Sequence, residues 1–148
     1  MMSTKANKEL VRQFIKERDE FAADAAKLRS WCEKYCAPSI IHYLVPPRDL
    51  NWEQNAQYFA SLASIFPDFI KTVNDMVAEG DKVVVRYTVQ ATHKGTFAGI
   101  PATGKRVTLK GSDIFKIEGR KIVEWWEYPD ILGALLQVVT ILSPPPKT

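Results

Sequence analysis

The sequence predicts an α+β domain in which N-terminal helices pack on one face of a curved, mainly antiparallel sheet. Three observations lead there. Apolar residues recur at helical spacing through the first part of the 148-residue chain, and turn-punctuated strand patterns fill the stretch from Phe69 to Tyr128. Two of the connections between those strands are short enough to be hairpins. The length and the 46% hydrophobic content suit one domain with one core, spanning 1–148 with a loosely held tail from about 143.

In chain order, Leu10, Val11, Phe14, Ile15 and Phe21 set a first helix, and a second runs over about 22–36 until Pro38 breaks it. The run Ser39-Ile40-Ile41-His42-Tyr43-Leu44-Val45 suits a strand, closed by Pro46-Pro47. A third helix follows, with Trp52, Phe59, Leu62 and Phe66 stepping along one face, and Pro67 ends it. Strands are then expected over 69–78, 82–93, 106–117 and 121–128. Glu79-Gly80-Asp81 and Glu118-Gly119-Arg120 are hairpin turns. The longer loop from Gly95 to Gly104 carries Phe97 and Ile100, too apolar for an idle solvent loop, so it is expected to fold over the mouth of a cavity. Asp130 stands as the N-cap of a last helix bearing Ile131, Leu132, Leu135, Leu136, Val138 and Val139, which Ser143-Pro144-Pro145-Pro146 stops.

Composition narrows the function. A net charge of +3 with basic and acidic residues interspersed leaves no stripe for a phosphate backbone, so no nucleic-acid partner is expected. No apolar run has the length of a bilayer, and the start lacks a long apolar core, which argues against a membrane and makes the cytoplasm the default compartment. Cys32 and Cys36 share a helix face at a spacing poorly placed for a disulfide, so both are expected as buried or half-buried thiols. Two Cys with His42 and His93 in separate elements form no recognisable metal set.

The most informative stretch is Glu118 to Asp130. Alternation along this strand turns Val123, Trp125 and Glu127 to one face and Ile122, Glu124, Trp126 and Tyr128 to the other. A carboxylate among Val and Trp loses hydration, and burial then raises its pKa toward the range of an acid/base catalyst. If Glu127 faces the helices, Ile122, Trp126 and Tyr128 form an apolar patch that a homodimer would cover.

Several motifs carry a resemblance: Phe66-Pro67-Asp68, Glu79-Gly80-Asp81-Lys82-Val83-Val84-Val85-Arg86, Thr92-His93-Lys94-Gly95 running into Gly99-Ile100-Pro101-Ala102-Thr103-Gly104, Gly111-Ser112-Asp113-Ile114-Phe115, and Lys121-Ile122-Val123-Glu124. On these the chain resembles the SnoaL-like polyketide cyclases, or ester cyclases, of the nuclear-transport-factor-like superfamily, best from about Phe66 to Gln137. The resemblance implies a cone-shaped barrel and an enclosed pocket for a small apolar molecule. It also implies acid/base chemistry of the aldol-cyclase or isomerase type on a carbonyl compound, without metal or cofactor. Glu127 matches the acid/base position, where the cyclases have Asp, and Asp113 matches a second pocket position that is histidine in some of them. His42 and His93 match histidines common in the family; Trp125 stands where relatives often carry His, which makes the site more apolar. Tyr43, Tyr58 and Tyr87 are candidate donors to a substrate oxygen, with Val123 and Phe97 completing the expected pocket. Arg86 reads as a salt-bridging strand residue, and the Arg and second Asp that an epoxide hydrolase needs are replaced by Tyr87 and Val89. A non-catalytic small-molecule-binding dimer is the competing reading. A salt bridge from Arg or Lys to Glu127 favours it, while Glu127 buried beside Asp113 without one favours an enzyme.

Overall fold

The computed structural model describes residues 3–44 and 48–139, so Pro46-Pro47 and the tail from 143 lie outside the described residues. α1 (Thr4–Glu20) begins where the Ser3 hydroxyl accepts the Ala6 N–H at 3.1 Å. α2 (Ala25–Tyr35) begins at Ala25 rather than near Ala22, because the Asp24 side chain accepts the Lys27 N–H at 3.0 Å and so caps it there. α3 (Trp52–Ile65) opens with a reciprocal capping box between Asn51 and Gln54.

The strands are β1 (Cys36–Leu44), β2 (Arg48–Leu50), β3 (Ile70–Glu79), β4 (Lys82–Thr92), β5 (Arg106–Glu118) and β6 (Lys121–Pro129), with α4 (Ile131–Val138) last. They form one sheet in the order β2-β1-β6-β5-β4-β3. Neighbours are antiparallel except β1 and β6, which run parallel. The sheet is open, edged by β2 and β3, which corrects the expectation of a closed cone-shaped barrel. Helix α2 ends at Tyr35, and Pro38 lies inside β1, in the register break between Cys36 and Ile41, where a missing N–H costs no ladder bond.

Alternation is regular on β4, where Val83, Val85, Tyr87, Val89 and Ala91 all point into the core. It fails once on β6. Lys116 pairs with Glu124 and Ile117 with Ile122, so Val123 is an extra residue, a bulge that turns Ile122 inward together with Trp125 and Glu127. Ile122 is fully buried in its own core, which removes it from the apolar outer face that strict alternation assigns. Trp126 is half-buried and Tyr128 is 49% exposed.

Helices α1 to α3 cover the inner face around an aromatic nucleus. Phe14 stacks on Trp31 at 4.3 Å and meets Trp125 and Phe115 edge-on. A smaller apolar cluster of Phe66, Ala91, Val107, Ala134 and Val138 lies under α4. Among the described residues no helix is long and apolar enough to cross a membrane.

Candidate active site

A cavity of about 90 Å³ lies between the helices and the inner face of the sheet. Its walls are mostly apolar, with Phe14, Phe59, Phe69 and Trp125 among them, and its polar lining comes from Arg18, Tyr58, Lys71, Tyr87 and Glu127. Phe97, Pro129, Ile131 and Ala134 border it toward α4, so the 94–104 loop does reach the cavity. Gly111 makes part of this shape possible. A Cβ there would stand 2.5 Å from the Tyr87 hydroxyl oxygen and 2.9 Å from Pro129 Cα, so only glycine lets the Tyr87 side chain cross β5.

Glu127 enters from β6. One oxygen, Oε2, sits 3.0 Å from His42 Nε2, and the other ring nitrogen of His42 is 2.8 Å from Asn55 Oδ1 on α3. Parallel pairing of β1 with β6 puts His42 beside Trp125, and the two rings stack at 3.9 Å. His42 and Asn55 are fully buried, whereas the Glu127 side chain keeps 12% exposure and faces the cavity. A buried histidine thus stands behind the carboxylate, held by Asn55 and by the indole.

Asp113 faces Glu127 across the β5–β6 ladder. It is fully buried and does not line the cavity, and its Oδ2 takes the Lys71 ammonium at 2.8 Å. Lys71 reaches there from β3 over the Tyr87 ring, 4.1 Å from its centre, while its backbone N–H is held by both oxygens of Asp19 at 3.1 Å. The two facing carboxyls are pushed in opposite directions. Burial pushes Asp113 up, to about 6, against the pull of Lys71 and with the push of the Glu127 charge. Burial pushes Glu127 up as well, but the hydrogen bond and charge of His42, helped by the Lys71 and Arg18 cations, outweigh it and hold this carboxyl below its ordinary value. The raised pKa expected of Glu127 is therefore found on Asp113 instead. Burial, reinforced by the negative charges of Glu127 and Asp113, raises the phenols of Tyr58 and Tyr87, which keeps both as neutral O–H donors at the cavity wall.

Of the residues the sequence nominates, Glu127, Tyr58, Tyr87, Trp125 and Phe97 line the cavity, and His42 and Asp113 touch or face Glu127 from behind. Val123 is taken out of the lining by the bulge. His93 is buried away from Glu127, with Nδ1 2.9 Å from the Thr103 hydroxyl, and so pins the ends of the 94–104 loop. Tyr43 lies on the outer side, stacked on Trp126. Arg86 pairs with Asp75, and Asp130 caps α4 by accepting the Gly133 N–H at 2.9 Å. Cys32 and Cys36 are free, buried thiols, burial pushing Cys32 up to about 12. Asn55, Lys71 and Arg18 escape a sequence reading. Each sits at a core-facing position of an otherwise apolar stripe, as Arg18 does after Val11, Phe14 and Ile15, and that misplaced polarity is the signal that finds them.

The comparisons agree with this fold. The chain belongs to the SnoaL-like polyketide cyclase family, whose profile matches residues 12–138. It is similar to TsrD from Streptomyces laurentii, at 28% identity and a TM-score of 0.77 over 93% of this chain and 98% of that one. It shares its fold with AclR from Streptomyces galilaeus, described provisionally as a hydroxylase, at 24% identity and a TM-score of 0.82 over 97% and 87% of the two chains. A SnoaL-like polyketide cyclase from Agrobacterium tumefaciens shares it at 16% identity and a TM-score of 0.72 over 93% and 100%. No curated protein matches the chain in a sequence search.

Proposed function

We propose that the chain is an acid/base enzyme acting on a small carbonyl compound, with Glu127 as the group that takes and returns the proton. The single observation that carries this reading is the setting of Glu127. Among the described residues the buried lysine goes to Asp113, and Glu127 is left at the cavity with a His42–Asn55 pair behind it. Asp113 is closed into a buried ion pair off the cavity, whereas Glu127 faces the cavity, so Glu127 is the carboxylate that a substrate proton can reach.

The step starts with Glu127 drawing a proton from the carbon next to a carbonyl, whose C–H electron pair moves into the C–C–O system as an enolate. Tyr58 and Tyr87, neutral donors on the same cavity wall, hydrogen-bond the developing oxyanion, an interaction worth about 3 kcal/mol per well-placed donor. In a cyclase the enolate carbon then attacks a second carbonyl of the same molecule, and the alkoxide formed takes the proton back from Glu127. Without a second carbonyl, a conjugated enolate takes the proton back at a different carbon, and the outcome is isomerisation. His42 keeps the Glu127 carboxyl oriented. Asp113 contributes through the field it sets on Glu127 and by holding Lys71, not by touching substrate.

Glu127→Gln keeps shape and removes the basic oxygen, so turnover of any β-keto ester or related carbonyl substrate is expected to fall about a hundredfold or more, with ligand affinity largely kept. Unchanged turnover removes Glu127 as the catalyst and moves the chain to the non-catalytic binding reading.

The partner this reading supports is a second copy of the chain. Trp126 and Tyr128, with Tyr43 stacked on Trp126, leave an apolar patch on the outer face of the sheet. Light scattering is expected to give a dimer, and Trp126→Glu a monomer; a monomeric parent at micromolar concentration contradicts it.

A further inference from the structure

The charge that the mechanism leaves unused is Arg18. It follows Val11, Phe14 and Ile15 on the buried stripe of α1 and is 3% exposed. All three guanidinium nitrogens are buried without a hydrogen-bond partner among the described residues. The nearby carboxylates are bound to other groups. Asp19 spends both oxygens on the Lys71 N–H, Asp113 takes the Lys71 ammonium, and Glu127 Oε2 takes His42. The guanidinium lies over Phe69, 4.1 Å from the ring centre, and 5.4 Å from that of Phe59. A guanidinium presents its N–H donors in its own plane, the geometry that grips a carboxylate through two parallel hydrogen bonds. Arg18 and Glu127 line the same cavity, whose other walls are mainly aromatic and aliphatic, and Lys71, the other cation in its lining, is bound to Asp113. An unpaired buried cation is costly in a structural role and well placed in a binding one.

We propose that the ligand of this cavity is a free carboxylic acid rather than an ester or neutral ketone, its carboxylate gripped by Arg18 and its apolar body lying against Phe14, Phe59 and Trp125. With Lys71 bound to Asp113 and Glu127 to His42, Arg18 is the lining charge left to match a single planar negative charge. The inference rests on the cavity being the ligand site of the proposed function, but not on the chemistry of Glu127. It makes Arg18 a specificity residue that sorts acids from their esters.

The test is a matched pair of probes, 2-naphthoate and methyl 2-naphthoate, titrated by calorimetry at neutral pH. The parent chain is expected to bind the acid at least about tenfold more tightly than the ester, the size of one good charge-assisted contact. Arg18→Met, of similar length and apolar, is expected to bring the two affinities within about twofold of each other. Arg18→Lys keeps the charge without the fork, and is expected to lose several-fold in acid binding; it also serves if the methionine variant does not fold. Equal affinities in the parent, no saturable binding of naphthoate up to millimolar concentration, or a preference unchanged in either variant overturns the proposal. Glu127→Gln separates the two readings. If it keeps the acid preference and keeps turnover, Glu127 is not the catalyst and Arg18 is still the selector. If it loses turnover in a chain without the acid preference, the catalytic reading stands and this one falls.

Discussion

The deep end of the cavity and its mouth are made from the same strands in opposite ways. At the deep end, polar groups are locked in pairs: Lys71 with Asp113, His42 with Glu127 and Asn55. Large rings pack around them, with Trp125 stacked on His42 and Phe14 on Trp31. The mouth has only the smaller cluster under the short helix α4, together with the loop carrying Phe97 and Ile100. The proposed function asks different things of the two ends. Proton transfer needs heavy atoms held to a fraction of an ångström, which dense packing and paired charges provide. Ligand entry needs a segment that opens for little free energy. A cavity of about 90 Å³ makes the second point concrete. It is smaller than the roughly 150 Å³ engineered cavity that holds benzene, so a ring-sized ligand has to extend into the mouth or push it open.

The largest expected effect breaks the deep end. Lys71→Met leaves Asp113 buried beside Glu127 without its cation, and urea unfolding at neutral pH is expected to show a loss of about 3–5 kcal/mol. Adding Asp113→Leu to Lys71→Met is expected to recover most of that loss, because the pair is then replaced by apolar volume. A single variant within about 1 kcal/mol of the parent means the pair is not the lock described here. The smallest effect is at the mouth. Phe97 is half-buried at the rim, so Phe97→Ala is expected to cost about 1 kcal/mol or less in the same unfolding experiment, while ligand dissociation, followed by stopped flow, accelerates several-fold. A large stability loss with unchanged dissociation erases the contrast between the two ends.

Much of this design is legible in the chain, and the parts that are not share a cause. The hairpins at Gly80 and Gly119 are local, each glycine taking the positive φ its turn requires, and the alternation of β4 is local too. The cap at Asp130 is also local, although Asp24 outranks periodicity as the start of α2. Hidden features depend on residues far apart in sequence. Strand β2 has only three residues and exists through its pairing with β1, and β1 lies beside β6 through a parallel pairing that no turn announces. The Val123 bulge shows only in the register against β5, which is why alternation alone puts Ile122 outside. For the site, the sequence identifies Glu127 and its inward direction, but not its pKa. That depends on His42, 85 positions away, and on Lys71 choosing Asp113.

The most direct test of the central claim needs no knowledge of the natural substrate. In D2O, NMR follows exchange of the α-protons of a β-keto acid or ester with solvent, the elementary proton transfer assigned to Glu127. The parent chain is expected to accelerate exchange over buffer, and Glu127→Gln to reduce that acceleration about a hundredfold or more, with its near-ultraviolet circular dichroism unchanged. Equal acceleration by the parent and by Glu127→Gln contradicts the assignment, and places the proton transfer, if there is one, on another group.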